Sequence, residues 1–184
     1  MGEPLEQFEH MGLIVKIMRD EDPEDPRDWD NLGIMACYHR RYNLGDKRIS
    51  DRPTDPAELR DWLKLNAEVV LPLYLYDHSG ITMSTSPFSC PWDSGQVGWI
   101  YATAEKIKEA FLVKRITKKL LERAETQLRQ EVETYDKYLT GGFVGYIVED
   151  WQGNHLESCW GFEDEKYAID EAKSVAERIT VRVA

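Results

Sequence analysis

The 184-residue chain is 42% hydrophobic and contains six Trp and nine Tyr, a composition typical of a folded globular protein and not of a disordered one. Its formal net charge of −11 argues against general adhesion to nucleic acid or to an anionic membrane. No apolar run approaches the roughly 20 residues that a membrane span requires, and the acidic start of the chain lacks a signal core. The three cysteines, an odd number without close pairing, indicate reduced thiols in a cytosolic protein.

The first half of the chain predicts strands separated by acidic and proline-containing loops. The β-branched run at 13–18 is suited to a buried strand, and LGIMACYH (32–39) predicts a second strand or a short helix. Between them, EDPEDPRD must form a loop, because proline removes backbone donors and restricts the preceding residue. A helix then begins at Pro56 with Asp55 as its N-cap, and a hairpin follows at 69–86, in which Pro72 marks an edge or a bulge.

The second half predicts one more strand, a hairpin and three helical segments. A strand at 96–103 leads into a short helix capped by Thr103, and a longer helix spans about 117–138. The pattern FVGYIVED–WQGN–HLESCWGF is a strong hairpin signal, and the last segment, DEKYAIDEAKSVAERI, is again helical. Because strands and helices cluster without strict alternation, the fold class is α+β. It is expected to be a single domain over 1–184 with a flexible N-terminus at 1–10. Its mostly antiparallel sheet is expected to carry about three helices, one of them long, on one face.

Charge is distributed unevenly along the chain. Residues 20–30 hold seven acids and one base, whereas residues 105–129 hold eight bases and four acids. Such segments are typical of solvated faces, and they are also compatible with a bipolar surface that engages a charged partner. The basic cluster at the start of the long helix would suit phosphates. It consists of Lys114, Arg115, Lys118 and Lys119. We therefore regard contact with nucleic acid through the basic segments as an open alternative.

No motif predicts a metal or a cofactor. Cys37 and His39, with His155 and Cys159, would make a Cys₂His₂ set, but the spacings that zinc sites use do not occur. The acidic loop 20–30 lacks the EF-hand pattern that would favour calcium. A phosphate-binding loop and a dinucleotide fingerprint are also missing from the sequence. We therefore expect no bound metal and no cofactor.

Nucleophilic catalysis requires a cysteine or serine beside a base. Cys90 is the best-placed thiol, because it lies in an irregular loop between two prolines. The residues of the polar loops that such a site would use are His39, Asp77, His78, Cys90 and Asp93. The alternative interpretation is that Cys90 packs as a small hydrophobic residue beneath Phe88 and Trp92.

One stretch, DPRDWDNLGIMACYHRRYNLGD (25–46), combines turn signals with a strand and a recognition edge. Asp and Asn side chains at its two ends are typical of turns, where they bond backbone donors. Trp29 lies between two aspartates, and the pair Arg40–Arg41 follows the strand. Because such groups flank a rigid element, as binding residues often do, Trp29, Arg40 and Arg41 are predicted to contact a partner together with the basic cluster.

Four stretches that cover nearly half the chain resemble a family of uncharacterised proteins encoded by bacteriophages and by integrated mobile elements of bacteria. They are DPRDWDNLGIMACYHRRYNLGD, LYLYDHSGITMSTSPFSCPWDSGQVGWIY, EVETYDKYLTG and GYIVEDWQGNHLESCWGF. The resemblance implies an origin and a setting, the cytoplasm of a bacterial host, and brings no catalytic residues with it. Small acidic accessory proteins of phages often inhibit host defence, as anti-CRISPR and anti-restriction proteins do, which is an analogy of origin.

Two functions follow as hypotheses. The preferred one is a non-enzymatic protein that binds a host defence protein or nuclease complex, such as a CRISPR-Cas or restriction nuclease, and inhibits it. The alternative is a small enzyme, or a metal-dependent protein that processes nucleotides or nucleic acid, built from the Cys, His and Asp residues of the loops. The alternative requires those side chains to converge, because proton transfer needs hydrogen-bond reach.

Overall fold

The computed structural model describes residues 2–46 and 56–183, which form two compact units. The terminal unit is made of Met1–Glu24 and Gly141–Ala184, and the central unit is Asp25–Thr140. Each unit has its own four-stranded antiparallel sheet. The described residues contain four α-helices, so the α+β class predicted from the sequence is confirmed.

The terminal unit contains four strands and one helix. These are β1 (Glu6–His10), β2 (Leu13–Arg19), β7 (Val144–Glu149), β8 (His155–Phe162) and α4 (Glu165–Val183). The strands lie in the order β1-β2-β7-β8, and every neighbouring pair is antiparallel. Alternate residues of β2 and β7, such as Val15 and Val148, face α4, whose Ala168, Ala172 and Ala176 are buried against them. Small side chains on α4 allow the helix to lie close to the sheet.

The described part of the central unit contains the other four strands and three helices. These are β3 (Ile34–Cys37), α1 (Pro56–Asn66), β4 (Val69–Asp77), β5 (Ile81–Ser84), β6 (Ser94–Ala102), α2 (Ala104–Ala110) and α3 (Lys118–Thr140). The strand order is β3-β6-β4-β5. Pro72 lies in β4 where β5 does not reach, because β5 pairs with β4 only from Tyr74 onward. Pro72 has no N–H to donate, but no hydrogen bond between β4 and β5 is lost at this position.

Helices cover both faces of the central sheet. The apolar stripe of α3, including Ala124, Leu128 and Val132, packs on one face with Ile100 and Leu73. On the opposite face α1 packs Leu59 and Leu63 against Ala36 and Tyr101. Successive residues of β3 and β6 point to opposite faces of the sheet, so neighbouring residues of one strand contact different helices.

Two sequence-based expectations need correction. In place of a single sheet with about three helices on one face, the described residues form two sheets and four helices, and the central sheet is covered on both faces. The segment expected to be a flexible N-terminus contains β1, whose Phe8 packs on the terminal core and pairs with Val15. The acidic residues of β1 hide the strand pattern because they are exposed on an edge strand, in which only Phe8 and His10 are half-buried. The predicted N-cap, Asp55, lies outside the described residues.

A buried arginine explains most of the stretch 25–46. Arg27 donates from Nε to Asp46 (2.6 Å), from Nη1 to Glu131 on α3 (3.2 Å) and from Nη2 to the carbonyl oxygen of Gly33 (2.7 Å). The same Glu131 accepts the backbone N–H groups of Leu32 (2.8 Å) and Gly33 (3.0 Å). We call Arg27, Asp46 and Glu131 the Arg27 clamp. The Arg27 clamp joins the two ends of the stretch 25–46 to the middle of α3.

Burial and ion pairing act in opposite directions on the pKa values of Arg27 and Glu131. Burial acts to lower the pKa of Arg27, but the hydrogen bonds and charges of Asp46 and Glu131 outweigh it and raise the pKa. Burial raises the pKa of Glu131, which is opposed by Arg27 and by the two backbone N–H donors. The guanidinium and the two backbone donors therefore stabilise the charged form of Glu131 against the effect of burial.

Alkaline pH is expected to destabilise the central unit through Tyr135. Its hydroxyl oxygen accepts the backbone N–H of Gly45 (3.0 Å), and burial raises the pKa of Tyr135 to about 12. Because the pKa is raised above the unfolded value of about 10, the stability associated with the neutral phenol is complete below pH 10 and is lost as the pH rises toward 12. The loss is expected to be on the order of 3 kcal/mol, at about 1.4 kcal/mol per pH unit.

Urea denaturation at several pH values, compared between wild type and Tyr135→Phe, measures this loss. The variant is expected to be about 1 kcal/mol less stable at neutral pH, since Gly45 loses its acceptor. It is also expected to show a shallower decline between pH 10 and 12. Parallel declines in the two proteins would show that Tyr135 does not carry the effect.

Candidate functional site

A cleft of about 600 Å³ opens at the end of the central sheet where β4 ends and β6 begins. We call it the rim cleft. One wall is the segment Tyr38–Arg41 that follows β3, and the other is the loop that carries Trp92 and Asp93. The floor is formed by Leu75 and by Val97 of β6. Its volume lies in the range of pockets that hold ligands or segments of a partner.

The first wall is a loop that His39 holds in shape. Its Nδ1 accepts the backbone N–H groups of Arg41 (3.3 Å) and Tyr42 (3.2 Å), and its ring stacks on that of Tyr42 at 5.0 Å between centroids. With Nδ1 used as an acceptor, a neutral imidazole carries its proton on Nε2. His39 therefore presents a hydrogen-bond donor.

Asp77, at the end of β4, joins this wall to the sheet. Its carboxylate accepts from the Arg41 guanidinium and from the Tyr42 hydroxyl, the latter at 3.2 Å. The charge of Asp77 is thereby matched by Arg41. The neighbouring Arg40 is exposed and, among the residues that the structure describes, has no ion-pair partner. Arg40 is therefore the cationic group of the cleft that is available to a ligand.

Asp93 organises the second wall. Its Oδ2 lies 3.4 Å from Nδ1 of His78 and 3.6 Å from Sγ of Cys90. Its backbone carbonyl oxygen accepts the N–H of Asp77 (2.8 Å), which fixes the wall to the end of β4. Beside it, Trp92 is 91% exposed. An indole left in water at the mouth of a cleft is a typical contact residue for a partner.

The backbone of β6 is open along this cleft. Ser94, Gly95 and Gln96 pair on one side with β4, whereas β3 pairs with β6 only at Gly98–Tyr101. The N–H of Tyr38 still bonds the carbonyl oxygen of Val97 (2.7 Å), after which the chain turns away. Within the described part of the chain, no strand lies on the outer side of Ser94–Gln96. Such an edge is a template for an additional strand.

The structure brings the five candidate catalytic residues into one neighbourhood. His39, Asp77 and Asp93 line the rim cleft, while His78 and Cys90 contact Asp93. Three of the five candidates therefore line the cleft, and the other two are linked to it through Asp93. However, the thiol of Cys90 faces a carboxylate, and the imidazole of His39 already uses its acceptor nitrogen on the backbone.

The predicted partner-binding residues divide into three places. Arg40 and Arg41 line the rim cleft, and Trp29, 39% exposed, follows the 3-10 turn Pro26–Asp28. The remaining four are exposed at and just before the start of α3, and we call them the basic patch. They are Lys114, Arg115, Lys118 and Lys119. No acidic residue occupies the first turn of α3, so the patch adds to the positive end of the helix dipole.

The basic patch lies far from the rim cleft. Asp136 of α3 accepts from Thr82 and Met83 on β5, next to the turn that follows Asp77. Arg129 reaches Thr85, farther from that turn, so the start of the helix points away from the cleft. From Asp136 back to Lys118 the helix axis spans about 27 Å. One small ligand therefore does not contact both places.

The acidic loop and the Cys–His pairs are used in other ways. Asp20 accepts the N–H groups of Asp22 (3.2 Å) and Gly161 (3.1 Å), and Asp25 accepts that of Arg27 (3.0 Å). Cys37 and His39 belong to the central unit, whereas His155 and Cys159 belong to the terminal unit. Across residues 2–46 and 56–183, no group of three or more His, Cys, Asp or Glu side chains is arranged to hold a metal ion.

Comparison with protein-family models, with curated proteins and with solved structures finds no match to this chain. The chemistry of the rim cleft is therefore argued from its own residues. In the described ranges, no helix combines the length and the apolar character needed to cross a membrane.

Sequence reasoning missed three contributors to the cleft. Tyr42, which donates to Asp77, and Gln96, which lies in β6, carried no signal, because a polar residue beside or within a strand is ordinary. Trp92 had a signal that went unused: an indole between Pro91 and Asp93, in a loop without apolar periodicity, has little core to enter.

Proposed function

We propose that the protein is a binding module whose rim cleft captures an extended segment of a partner protein. The observation that carries the proposal is the edge of β6 at Ser94–Gln96, which is open among the described residues and is flanked by the exposed Trp92 and by Arg40, which has no ion-pair partner in the described part of the chain. An incoming strand would pair with β6 in line with β3 and extend the central sheet by backbone hydrogen bonds. This is the binding mode known as strand addition.

The charges of the cleft favour an acidic segment. Asp77 pairs with Arg41, and Asp93 lies 3.4 Å from His78, whereas Arg40 has no ion-pair partner among the residues that the structure describes. A partner segment that carries Asp or Glu opposite Arg40, and an apolar or flat side chain against Trp92, would satisfy both groups. The backbone of such a segment would pair with β6, and contacts with Arg40 and Trp92 would determine its specificity.

Arg40→Glu and Trp92→Ala are each expected to weaken binding at least tenfold. Wild-type protein is used to select from a displayed library of random linear peptides, and the affinity of the selected peptides is measured by calorimetry. Charge reversal at Arg40 repels the acidic residue, and loss of the indole removes a central contact. Arg60→Glu, an exposed change on α1, is the matched control and should leave affinity unchanged.

Two outcomes would contradict the proposal. One is selection of peptides without an acidic preference, and the other is selection of peptides whose affinity Arg40→Glu does not change. Amide exchange adds a structural readout, because a bound strand should slow exchange of outward-facing amides in Ser94–Gln96. Amides of β5 serve as the reference.

A more specific proposal concerns the identity of the partner protein. The resemblance to phage and mobile-element proteins, together with the acidic composition, supports a partner in a bacterial defence complex, such as a CRISPR-Cas or restriction nuclease, that is inhibited in the host cytoplasm. The basic patch would supply a second contact, to nucleic acid or to an acidic protein face. Expression in bacteria that carry a defined defence system should raise phage plating efficiency, and Arg40→Glu should reverse the increase.

A second candidate function rests on the contacts of Asp93. Cys90 and His78 meet the same carboxylate oxygen beside the cleft, which is the kind of convergence that a small hydrolase or transferase would need. Labelling with iodoacetamide distinguishes the two functions. A catalytic Cys90 would react much faster than the exposed Cys159, whereas a packing role predicts slower labelling of Cys90.

A further inference from the structure

The basic patch is a local excess of positive charge. Among the described residues, its four cations form no ion pair. By contrast, Arg129 on the same helix pairs with Glu125 at 2.7 Å and donates to Thr85 at 2.8 Å. The chain has a net charge of −11, but charges farther away than the Debye length, about 8 Å at physiological salt, are largely screened. The basic patch is therefore a cationic surface on an acidic protein.

A groove of about 430 Å³ continues the basic patch along α3. Lys119 of the patch lines it, followed by Arg123 one turn farther along the helix and then by Gln127 and Gln130. The ring of Phe111 forms part of the wall, and the guanidinium carbon of Arg123 lies 4.9 Å from the centroid of that ring. We call this feature the α3 groove. It joins charge, an aromatic ring and two amide side chains in one place.

A leucine projects from the turn between α2 and the basic patch. The N–H of Leu112 bonds the carbonyl oxygen of Glu109 (3.2 Å). The N–H of Val113 bonds that of Lys108 (3.0 Å), which completes a Schellman motif at the end of α2. The motif holds Leu112 in the left-handed region, at φ 52°, where glycine is the usual residue. Its side chain is 92% exposed. The turn therefore presents an apolar group to solvent, two residues before Lys114, where glycine would be less strained.

We propose that the basic patch and the α3 groove bind single-stranded nucleic acid. The four cations of the patch and Arg123 would pair with phosphates of the strand. Leu112 and the ring of Phe111 would contact bases or sugars, and the amides of Gln127 and Gln130 would bond base edges. This inference extends the second contact proposed above, and it requires neither the rim cleft nor a partner protein.

Two features favour a single strand over an acidic protein face and over a duplex. The amides of Gln127 and Gln130 both donate and accept hydrogen bonds, as base edges do, whereas an ionised Asp or Glu side chain only accepts. The α3 groove can take a base only if that base is unstacked, and the bases of a duplex are stacked and paired. Of the groove-lining residues that the structure describes, Glu122 is the one carboxylate, so the surface as a whole is cationic.

Fluorescence anisotropy with labelled oligo(dT) and oligo(U) measures this binding as salt is raised. If the five cations each neutralise one phosphate, the logarithm of the association constant should fall with that of the salt concentration with a slope of about −3.5. Lys118→Gln combined with Lys119→Gln should weaken binding at least tenfold at low salt and bring the slope to about −2. The tighter of the two strands identifies DNA or RNA as the ligand.

Two controls separate the local surface from the overall charge. Lys64→Gln combined with Lys166→Gln removes two exposed lysines, on α1 and α4, and should leave affinity and slope unchanged. Arg40→Glu should also leave this binding unchanged although it weakens peptide binding, so the rim cleft and this surface succeed or fail separately. Equal weakening by the control pair, or a wild type that binds neither strand at low salt, would overturn the proposal.

Contacts with the bases have a different signature. Gln127→Ala combined with Gln130→Ala should weaken binding severalfold without altering the salt slope, because base contacts release no counterions. Leu112→Gly should weaken binding without lowering the melting temperature, because glycine suits a φ of 52°. Polyglutamate should displace the labelled strand far less than the unlabelled strand does. Equal displacement by the two competitors would assign the surface to an acidic protein and overturn the proposal.

Discussion

Replacing Arg27 with methionine is expected to lower the free energy of unfolding of the central unit by about 3–5 kcal/mol. The side chain of Arg27 is only 3% exposed, and those of Asp46 and Glu131 are 19% and 10% exposed. Methionine fills a similar length but supplies no donors. Two carboxylates then lose their counter-charge in a region of low dielectric constant, and the carbonyl oxygen of Gly33 loses its side-chain donor.

Removing Arg27 should also change the pH dependence of stability. The pKa of Glu131 is already raised by burial, and losing the guanidinium raises it further. A folded pKa above the unfolded one means that the native state takes up the proton more readily. The loss of stability in Arg27→Met should therefore be largest at neutral pH and smaller in acid, where Glu131 is protonated.

Urea denaturation of two matched variants checks this expectation. Arg129→Met removes another arginine of the central unit, from an i,i+4 pair with Glu125 whose side chains are more than 40% exposed, and should cost less than about 1 kcal/mol. Glu131→Gln in the Arg27→Met background should recover part of the loss, because one buried charge disappears. Equal costs for Arg27→Met and Arg129→Met would mean that the Arg27 clamp contributes little.

Gly98→Ala is expected to cost about 3 kcal/mol, more than most single-methyl additions. A Cβ on Gly98 would lie 2.0 Å from the carbonyl oxygen of Ala36 on β3, and a backbone atom cannot rotate away as a side chain can. Relief requires β3 to separate from β6 at the Cys37–Gly98 pair. That pair adjoins the rim cleft, so peptide binding should weaken together with stability.

The control for this prediction lies in the same strand. A Cβ on Gly95 has nothing within 4 Å, so Gly95→Ala should change stability by less than about 0.5 kcal/mol. Thermal denaturation of the two variants in parallel separates steric conflict from the general effect of replacing glycine in β6. Similar melting temperatures for both would show that β3 gives way without cost.

Sequence patterns predicted the elements whose signals are local. The hairpin of β7 and β8 was predictable because the turn is encoded between the strands, where Asp150 accepts the N–H groups of Gln152 and Asn154. The inner face of α3 was predictable because its buried residues recur at helical spacing. Thr103 caps α2 as its position before a helical pattern predicts.

The remaining features depend on pairings distant in sequence. Arg27 and Glu131 are in contact although most of the sequence of the central unit lies between them. Nothing in the local pattern around PRD indicates burial of an arginine. The division into two sheets depends on β2 pairing with β7, which no local signal encodes. For the candidate site, the five catalytic candidates were chosen by residue type, and their proximity arises from the adjacency of β4 and β6. The open edge of β6 was invisible because it depends on where β3 ends.

The pairing of β2 with β7 has a consequence for the order of folding during synthesis. The terminal sheet is built from two chain segments between which the whole of Asp25–Thr140 is inserted. On the ribosome, the inserted unit emerges complete before β7 exists, whereas β1 and β2 wait as an unpartnered hairpin. Pairing of β2 with β7 must therefore be the last step in forming the terminal sheet. This pairing closes a long loop unless the inserted unit has already folded and so shortened the distance between the two strands. Translation stalled shortly after Thr140 should yield nascent chains in which the inserted unit resists protease and the N-terminal hairpin does not.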